Sequence, residues 1–213
     1  MDATVTVTDV EPVGPDTVAV AVETPEGFDA RPGQFVRLGA TIDGEDHARF
    51  YTLSSDVGET FEVTVSVDPE EGGPFTDHLA ALDPGDRLRM SGPFGDQHYE
   101  GESRTVVLAG GPGVGAAVAI GERALADGAE VALVYRYRGA APVHADRLDA
   151  LREAGAAVTV TDGPIADAVA DAVAGAPGEQ AFVYGFEAFV EEARRALADA
   201  GADPDEAKVE SFG

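Results

Sequence analysis

The sequence contains no cysteine, and Lys208 is its single lysine. Without cysteine the chain can form neither disulfides nor the thiolate ligands of zinc sites and iron–sulfur clusters. No apolar run approaches the roughly 20 residues that a membrane-spanning helix needs. The N-terminal stretch carries an acid where a secretory signal carries bases. These absences predict a cytoplasmic protein with no membrane span and no metal site of its own.

Basic residues are scarce, with 14 Lys and Arg against 40 Asp and Glu and a net charge of −26. The acids are spread along the chain instead of forming a tail, and a phosphate backbone would be repelled, so no nucleic-acid partner is predicted. Molar salt shortens the Debye length to about 3 Å and removes such repulsion. Lysine depletion with alanine enrichment resembles the proteins of salt-loving archaea. We interpret the charge as a sign of habitat and not of a partner.

The hydrophobic pattern changes near residue 100, which predicts domains at residues 1–100 and 101–213. Short alternating runs separated by Pro and Gly turns fill the first part, and they predict six strands and one short helix at residues 75–82. Such a pattern is typical of a small antiparallel β-barrel. The strands are predicted at residues 4–8, 17–23, 34–38, 49–54, 61–68 and 87–91.

Apolar runs alternate with alanine-rich helical segments after residue 101. This pattern predicts a five-stranded parallel sheet with helices on both faces, that is, an α/β nucleotide-binding domain. The strands are predicted at residues 105–109, 130–135, 157–161, 180–184 and 208–211, and the helices at residues 114–127, 144–153, 164–174 and 187–200.

The run Arg49-Phe50-Tyr51-Thr52-Leu53-Ser54-Ser55 offers a cation, an aromatic ring and three hydroxyls along one predicted strand. Positions 49, 51 and 53 face one way and positions 50, 52 and 54 the other. Arg49 can form two charge-assisted hydrogen bonds to a pyrophosphate, and Tyr51 can lay its ring against a flavin. The run therefore predicts a flavin site, with an ordinary barrel strand as the alternative.

A second phosphate-binding element is predicted at Gly72-Gly73-Pro74-Phe75-Thr76. Its glycines precede a short helix whose free N–H groups favour a phosphate, and Thr76 is expected to add a hydroxyl. The alternative is a loop with an N-capped helix. Two phosphate-binding elements favour FAD over FMN.

The run Gly110-Gly111-Pro112-Gly113-Val114-Gly115 lies between a predicted strand and a predicted helix, the context in which a glycine-rich turn binds a dinucleotide. The acid expected about 20 residues later in ordinary Rossmann dehydrogenases is missing. Arg136 and Arg138 stand there instead, either to contact a nucleotide phosphate or to form surface ion pairs.

The order of these motifs, with Gly-Pro-Phe-Gly at residues 92–95 and a closing Glu210-Ser211-Phe212, resembles the ferredoxin–NADP⁺ reductase superfamily over essentially the whole chain. The resemblance implies that Thr52 lies near the flavin N5 and that Glu210 and Phe212 lie near the flavin. The catalytic residues it implies are Thr52, Tyr184 and Glu210. The cofactor-binding residues it implies are Arg49, Phe50, Tyr51, Thr52, Ser54, Ser55, Gly72, Gly73, Phe75, Thr76, Gly110, Gly111, Pro112, Gly113, Val114, Arg138, Gly185 and Phe212.

Three departures from the family pattern concern the nucleotide. The family's Cys-Gly-Pro is replaced by Tyr184-Gly185-Phe186, so Tyr184 is expected to fill the space beside the nicotinamide and hinder hydride transfer. Pro112 replaces a threonine and removes one pyrophosphate contact. Asp162 stands where NADP-selective members carry an arginine, which favours NADH over NADPH.

The resemblance implies a flavin-dependent oxidoreductase that passes a hydride from NAD(P)H to FAD and then electrons to an acceptor. The acceptor is expected to be a redox protein such as ferredoxin on a separate chain. Two alternatives stay open. One is a flavin or ferric reductase with small acceptors, and the other is a flavin-carrying electron-transfer subunit with little NAD(P)H turnover of its own.

Overall fold

The computed structural model of the chain describes residues 1–67 and 73–212. Its first half is a six-stranded antiparallel sheet in the order β4-β3-β6-β1-β2-β5. The edge strands meet at a single bridge between Leu53 and Val63, so the sheet curls into the predicted barrel. The elements are β1 (Asp2–Gly14), β2 (Thr17–Glu23), β3 (Phe35–Ile42), β4 (Glu45–Thr52), β5 (Thr60–Ser66), α1 (Pro74–Ala80) and β6 (Arg87–Phe94).

The inner side of this sheet forms the core of the barrel. Val20, Leu38, Leu53 and Val63 are fully buried in that core. The hairpin between β3 and β4 turns at Asp43-Gly44, where both residues have positive φ angles of 51° and 86°. Asp and Gly tolerate that conformation, and the turn fixes the register of β4 against β3.

The second half is a five-stranded parallel sheet in the order β11-β10-β7-β8-β9. Helices α2 and α3 pack on one of its faces, and α4 and α5 pack on the other. Both predicted sheets are therefore confirmed. The elements are β7 (Arg104–Gly110), a 3₁₀ turn (Gly111–Gly113), α2 (Val114–Ala126), β8 (Glu130–Arg136), α3 (Ala145–Glu153), β9 (Ala157–Thr161), α4 (Ala166–Ala172), β10 (Glu179–Gly185), α5 (Glu187–Asp199) and β11 (Lys208–Ser211).

The segment between the two sheets, residues 95–103, is fastened to both of them. The backbone N–H of Tyr99 donates to the carbonyl of Pro32 at 3.0 Å, which joins the segment to the barrel. The Lys208 ammonium on β11 donates to the carbonyl of His98 at 2.7 Å and to Glu100 and Glu102 at 2.8 and 2.6 Å. The boundary at residue 100 stays a prediction within this segment.

Helix α3 supplies a second connection between the sheets. The Arg147 guanidinium lies 3.0 Å from Glu62 of β5 and 2.7 Å from Glu122 of α2, and it donates to the Ser54 carbonyl at 2.6 Å. His144, at the start of the same helix, lies 2.8 Å from the Thr64 hydroxyl through its Nε2 atom. Charged and polar contacts therefore set the orientation of the barrel against the α/β domain.

Candidate functional site

Arg49 and Tyr51 lie on one side of β4, as alternation predicts. The Arg49 Nη2 atom is 3.2 Å from the place where a side chain at Gly73 would begin, so a glycine there leaves room for the guanidinium. Arg49 makes no ion pair within residues 1–67 and 73–212. The structure therefore brings together Arg49, Tyr51 and Gly73 from the two predicted flavin elements, whereas Gly72 lies outside the described residues.

The Tyr51 phenol is buried and lacks a hydrogen-bond partner in the described part of the chain. Its ring lies 6.4 Å from the ring of Phe75, measured between centroids. Burial raises the pKa of Tyr51 to about 12, although the charge of Arg49 acts in the opposite direction. The phenol is therefore a protonated donor at neutral pH. An unpartnered buried hydroxyl beside a free guanidinium fits a ligand that carries both a polar ring system and phosphates.

The element around α1 corrects one prediction. The Thr76 hydroxyl accepts the N–H of Gly73 at 2.8 Å and donates to the carbonyl of Gly73 at 2.8 Å, and the side chain is buried. Thr76 therefore caps the helix and does not face a phosphate, which is the alternative that the sequence left open. Phe75 is also buried, so its side chain supports the Tyr51 ring and cannot itself cover an exposed ligand.

Two of the three hydroxyls after Tyr51 have partners within the protein. Ser54 is fully buried and donates to Glu62 at 2.7 Å. The Ser55 hydroxyl donates to the carbonyl of Asp56 at 2.8 Å and accepts the N–H of Glu62 at 2.9 Å. Both serines hold the connection between β4 and β5. Thr52, at the end of β4, is half-buried and keeps a hydroxyl without a partner in the described residues.

Phe50 is a further correction. Its side chain lies on the opposite side of β4 from Arg49 and Tyr51, is 61% exposed, and packs edge-to-face on Phe35 and Phe94. It therefore cannot contact the same face of a flavin as Tyr51.

The glycine-rich turn lies where the order of the parallel sheet reverses. The chain proceeds from β7 to β8 and β9 on one side and returns to β10 and β11 on the other. Ligands of such sheets bind at this reversal, beyond the carboxyl ends of the strands. Gly110 ends β7 and Gly185 ends β10, and a side chain at either would strike the ring of Phe189.

Gly111 and Gly113 serve different purposes in the turn. Gly111 has a positive φ of 55° with no atom within 4 Å of its absent side chain, so its backbone borders open space. Gly113 lies against β10, where a side chain would meet the Tyr184 carbonyl. Val114 is fully buried, so a cofactor contact at this position would have to come from its backbone. The turn thus presents Gly110, Gly111 and the half-buried Pro112 to a ligand.

A cleft of about 260 Å³ opens beside this turn, between the α/β domain and the ends of β1, β2 and β5. Arg136 is engaged there by an ion pair with Glu192 and lies 5.0 Å over the ring of Phe189, so it follows the ion-pair alternative. Arg138 also lines the cleft, is exposed, and forms no ion pair among the described residues. It is the cation that remains for a nucleotide phosphate.

Tyr184, predicted as a catalytic residue, does not line the cleft. Its side chain is fully buried, and its hydroxyl donates to the Gln97 carbonyl at 2.7 Å. Burial raises the pKa of Tyr184 far above its ordinary value, with the charges of Glu210 and Glu102 adding to the effect. The phenol fits only because position 33 is glycine, since a side chain there would collide with the Tyr184 Oη atom. Tyr184 therefore fastens the segment between the sheets.

The C-terminal residues reach the same edge of the sheet. The N–H of Phe212 donates to the carbonyl of Gly185 at 3.0 Å, and its ring lies edge-to-face on Phe186 at 6.1 Å. Phe186 lines the cleft and was missed as a site residue, although an aromatic directly after a predicted strand was the available signal. Glu210 is half-buried, which raises the pKa of its carboxyl group.

Comparison with known proteins supports this arrangement. Residues 4–99 match the family model described as the oxidoreductase FAD-binding domain. The probable dihydroorotate dehydrogenase B (NAD(+)), electron transfer subunit, of Methanopyrus kandleri is 41% identical over 92 residues, which are 43% of this chain and 32% of that protein. The chain thus matches about a third of the length of that relative.

Solved structures match the whole chain. The cytochrome P450 reductase GcoB of Amycolatopsis has a TM-score of 0.82 and 27% identity, with all of this chain and 70% of that chain covered. The ferredoxin NADP⁺ reductase of Neisseria gonorrhoeae, solved with bound FAD and NADP, has a TM-score of 0.80 and 19% identity, with 100% and 99% covered. The second likeness concerns the fold alone.

The barrel domain thus matches an oxidoreductase FAD-binding domain, and a parallel α/β domain with a glycine-rich turn follows it. The chain is therefore similar to the ferredoxin–NADP⁺ reductase-like superfamily of FAD- and NAD-binding oxidoreductases in its family model, its fold and the order of its motifs. No helix within the described ranges is long and apolar enough to cross a membrane.

Proposed function

We propose that the protein is a flavin-dependent NAD(P)H oxidoreductase that delivers electrons to an acceptor such as a ferredoxin on a separate chain. The observation that carries the proposal is the unpartnered, buried Tyr51 hydroxyl beside the free Arg49 guanidinium, in a domain that matches an FAD-binding family. When bound, FAD would supply the redox chemistry, accepting a hydride and releasing electrons singly.

The barrel residues bind and orient the flavin in this proposal. Arg49 would hold the pyrophosphate with its planar fork of N–H donors, and Gly73 leaves the room that this requires. Tyr51 would place its ring and its phenol donor against the isoalloxazine, supported from behind by Phe75. Thr52 would offer its free hydroxyl at the strand end, near N5. Phe212 and Glu210 would border the opposite side of the ring system.

The nucleotide would lie in the cleft beside the glycine-rich turn. Gly110 and Gly111 allow a pyrophosphate to approach the start of the 13-residue helix α2, whose dipole favours negative charge. Arg138 would contact a phosphate, and Phe186 would form an apolar wall. The exposed Asp162, close to the end of β9, favours NADH because it would repel a 2′-phosphate.

A second candidate is an electron-transfer subunit of a larger complex with little NAD(P)H turnover alone. The similarity to the Methanopyrus electron transfer subunit favours it, as does the lack of cysteine, since these 213 residues hold no thiolate ligand for an iron–sulfur centre. This candidate does not rest on Tyr184, whose hydroxyl is bonded to the Gln97 carbonyl. We also infer from the excess of acids over bases, 40 against 14, that the protein works in a salt-rich cytoplasm.

The test is a visible spectrum of the protein purified in molar KCl, with added FAD or FMN and then, without oxygen, NADH or NADPH. Bleaching of a bound flavin by either nucleotide supports the reductase, and the faster nucleotide gives the preference. A bound flavin that both nucleotides leave oxidised favours the subunit. A protein that binds neither FAD nor FMN contradicts both candidates.

Replacing Arg138 by serine is expected to weaken nucleotide binding roughly tenfold, because a charge-assisted contact to phosphate is worth about 1.5 kcal/mol or more. KM for NAD(P)H in dye reduction should rise while the flavin content stays unchanged. Arg195→Ser on α5 is the control, since Arg195 is also exposed and unpaired in the described residues but lies away from the cleft. An equal KM for NAD(P)H in Arg138→Ser and Arg195→Ser would show that Arg138 does not contact the nucleotide.

A further inference from the structure

The outer side of β3, β4 and β6 carries three aromatic rings that pack on one another. Phe35 lies 5.6 Å from Phe50 and 5.8 Å from Phe94, and Phe50 lies 6.0 Å from Phe94, all between centroids. Phe50 is 61% exposed and Phe94 is 40% exposed. Rigid aromatic side chains on a surface lose little conformational entropy on binding, which is why they are enriched in protein interfaces.

The same side of the sheet carries arginines. Arg37 stands opposite Phe50 in the register of β3 and β4, and Arg87 and Arg89 follow on β6. Arg89 is paired with Asp46 at 2.9 Å. Arg37 and Arg87 are exposed and form no ion pair among residues 1–67 and 73–212. Among the described residues, the face therefore carries two unpaired cations in a chain with 40 acids and 14 bases.

We call Phe35, Arg37, Phe50, Arg87, Arg89 and Phe94 the aromatic–arginine face. One end of this face adjoins the proposed flavin site, because Phe35 is the register partner of Thr52. A molecule seated on the rings would therefore lie next to the strand end at which Thr52 offers its hydroxyl. No other element of the described chain covers the rings, since Phe50 is more than half exposed.

We propose that the aromatic–arginine face is the docking surface for an acidic protein that carries a one-electron iron–sulfur centre. The proposal rests on the proposed function and names the surface where the acceptor binds. Positive side chains pair with acids of such a partner at contact distance, and the aromatic rings supply the buried area at the centre of the contact. Each partner molecule takes one electron, so two successive partners remove the two electrons of one hydride, and the proton is released to solvent.

The experiment uses the FAD-loaded protein and an acidic plant-type [2Fe–2S] ferredoxin as the probe. Isothermal titration calorimetry gives its Kd at the lowest KCl concentration that preserves the native circular dichroism. Arg37→Glu and Phe94→Ala are each expected to raise Kd roughly tenfold or more. KM for ferredoxin should rise by the same factor, whereas the rate of ferricyanide reduction should stay within about twofold. Arg195→Glu, the same charge reversal on α5, should change none of these values.

Three results would overturn the proposal. The first is an unchanged Kd in Arg37→Glu and Phe94→Ala, and the second is no ferredoxin binding by a wild-type protein that reduces ferricyanide. The third is a concentration-dependent dimer, seen by sedimentation, that Arg37→Glu abolishes, because the occupant would then be a second copy of the chain. Loss of NAD(P)H-dependent ferricyanide reduction in the wild type would instead contradict the proposed function, and calorimetry would still test the face.

Discussion

The free energy of unfolding is expected to fall by roughly 3–5 kcal/mol between pH 6.5 and about 3 because of His144 alone. Burial, followed by the charge of Arg147, lowers the pKa of His144 from 6.5 to about 3. Below pH 6.5 His144 binds a proton in the unfolded chain but not in the folded chain, so stability is lost as the pH falls. Above pH 6.5 both states hold a neutral imidazole and the effect vanishes.

Urea unfolding of the wild type and of His144→Asn at a series of pH values measures this contribution. Asparagine suits the left-handed backbone of position 144, where φ is 55°, and it does not titrate. The difference in free energy of unfolding between the wild type and His144→Asn should shrink or reverse towards pH 3. Carboxyl groups titrate alike in both proteins, so this change isolates His144. His47→Gln, on exposed strand β4, controls for the removal of a histidine. Parallel acid profiles of wild type and His144→Asn would contradict the assignment.

Replacing Arg49 by methionine is expected to weaken FAD binding by roughly 10- to 100-fold. The methionine keeps part of the apolar stem but removes both the charge and the two N–H donors that a pyrophosphate would accept. Quenching of flavin fluorescence on titration into the apoprotein gives the Kd. The Kd of Arg49→Lys for FAD should lie between those of the wild type and Arg49→Met, because an ammonium keeps the charge without the planar fork.

Riboflavin, which has no phosphate, separates binding from folding in this test. Its affinity should be the same for the wild type and for Arg49→Met if Arg49 acts on the pyrophosphate. Arg37→Met is the matched control, since Arg37 lies on the neighbouring strand but on the other face of the sheet. Equal losses for FAD and riboflavin would show that Arg49 acts through the fold.

The sequence was sufficient to predict the fold because each half keeps one hydrophobic pattern. The first half has short alternating strands, and the second has apolar strands that alternate with helices. Alternation with Gly and Pro turns located six strands, and buried apolar runs located five more. Strand β1 was predicted too short, since it continues to Gly14 through exposed residues such as Asp9 and Glu11, which pair with β2 without entering the core. Backbone pairing between exposed residues leaves no hydrophobic pattern in the sequence, so this part of β1 could not be predicted.

The candidate site was harder to predict, because the partners of its hydroxyls are distant in sequence or are backbone groups. Ser54 and Ser55 fit a flavin motif locally, but Glu62 of β5 engages both. Tyr184 was placed beside the nicotinamide by analogy with a cysteine. The Tyr184 side chain points towards the Gln97 carbonyl, in space that Gly33 leaves open. Neither Gln97 nor Gly33 belongs to the motif that contains Tyr184.

Lys208 gives the protein an unusual chemical property. Its ammonium donates to three oxygens and lies 5.2 Å over the ring of Phe182, so the one lysine amine of the chain is shielded from reagents. Acylation needs an accessible amine, and this amine becomes accessible when β11 separates from the segment between the sheets. The rate at which an amine-specific label enters position 208 would therefore report how often the C-terminal strand opens.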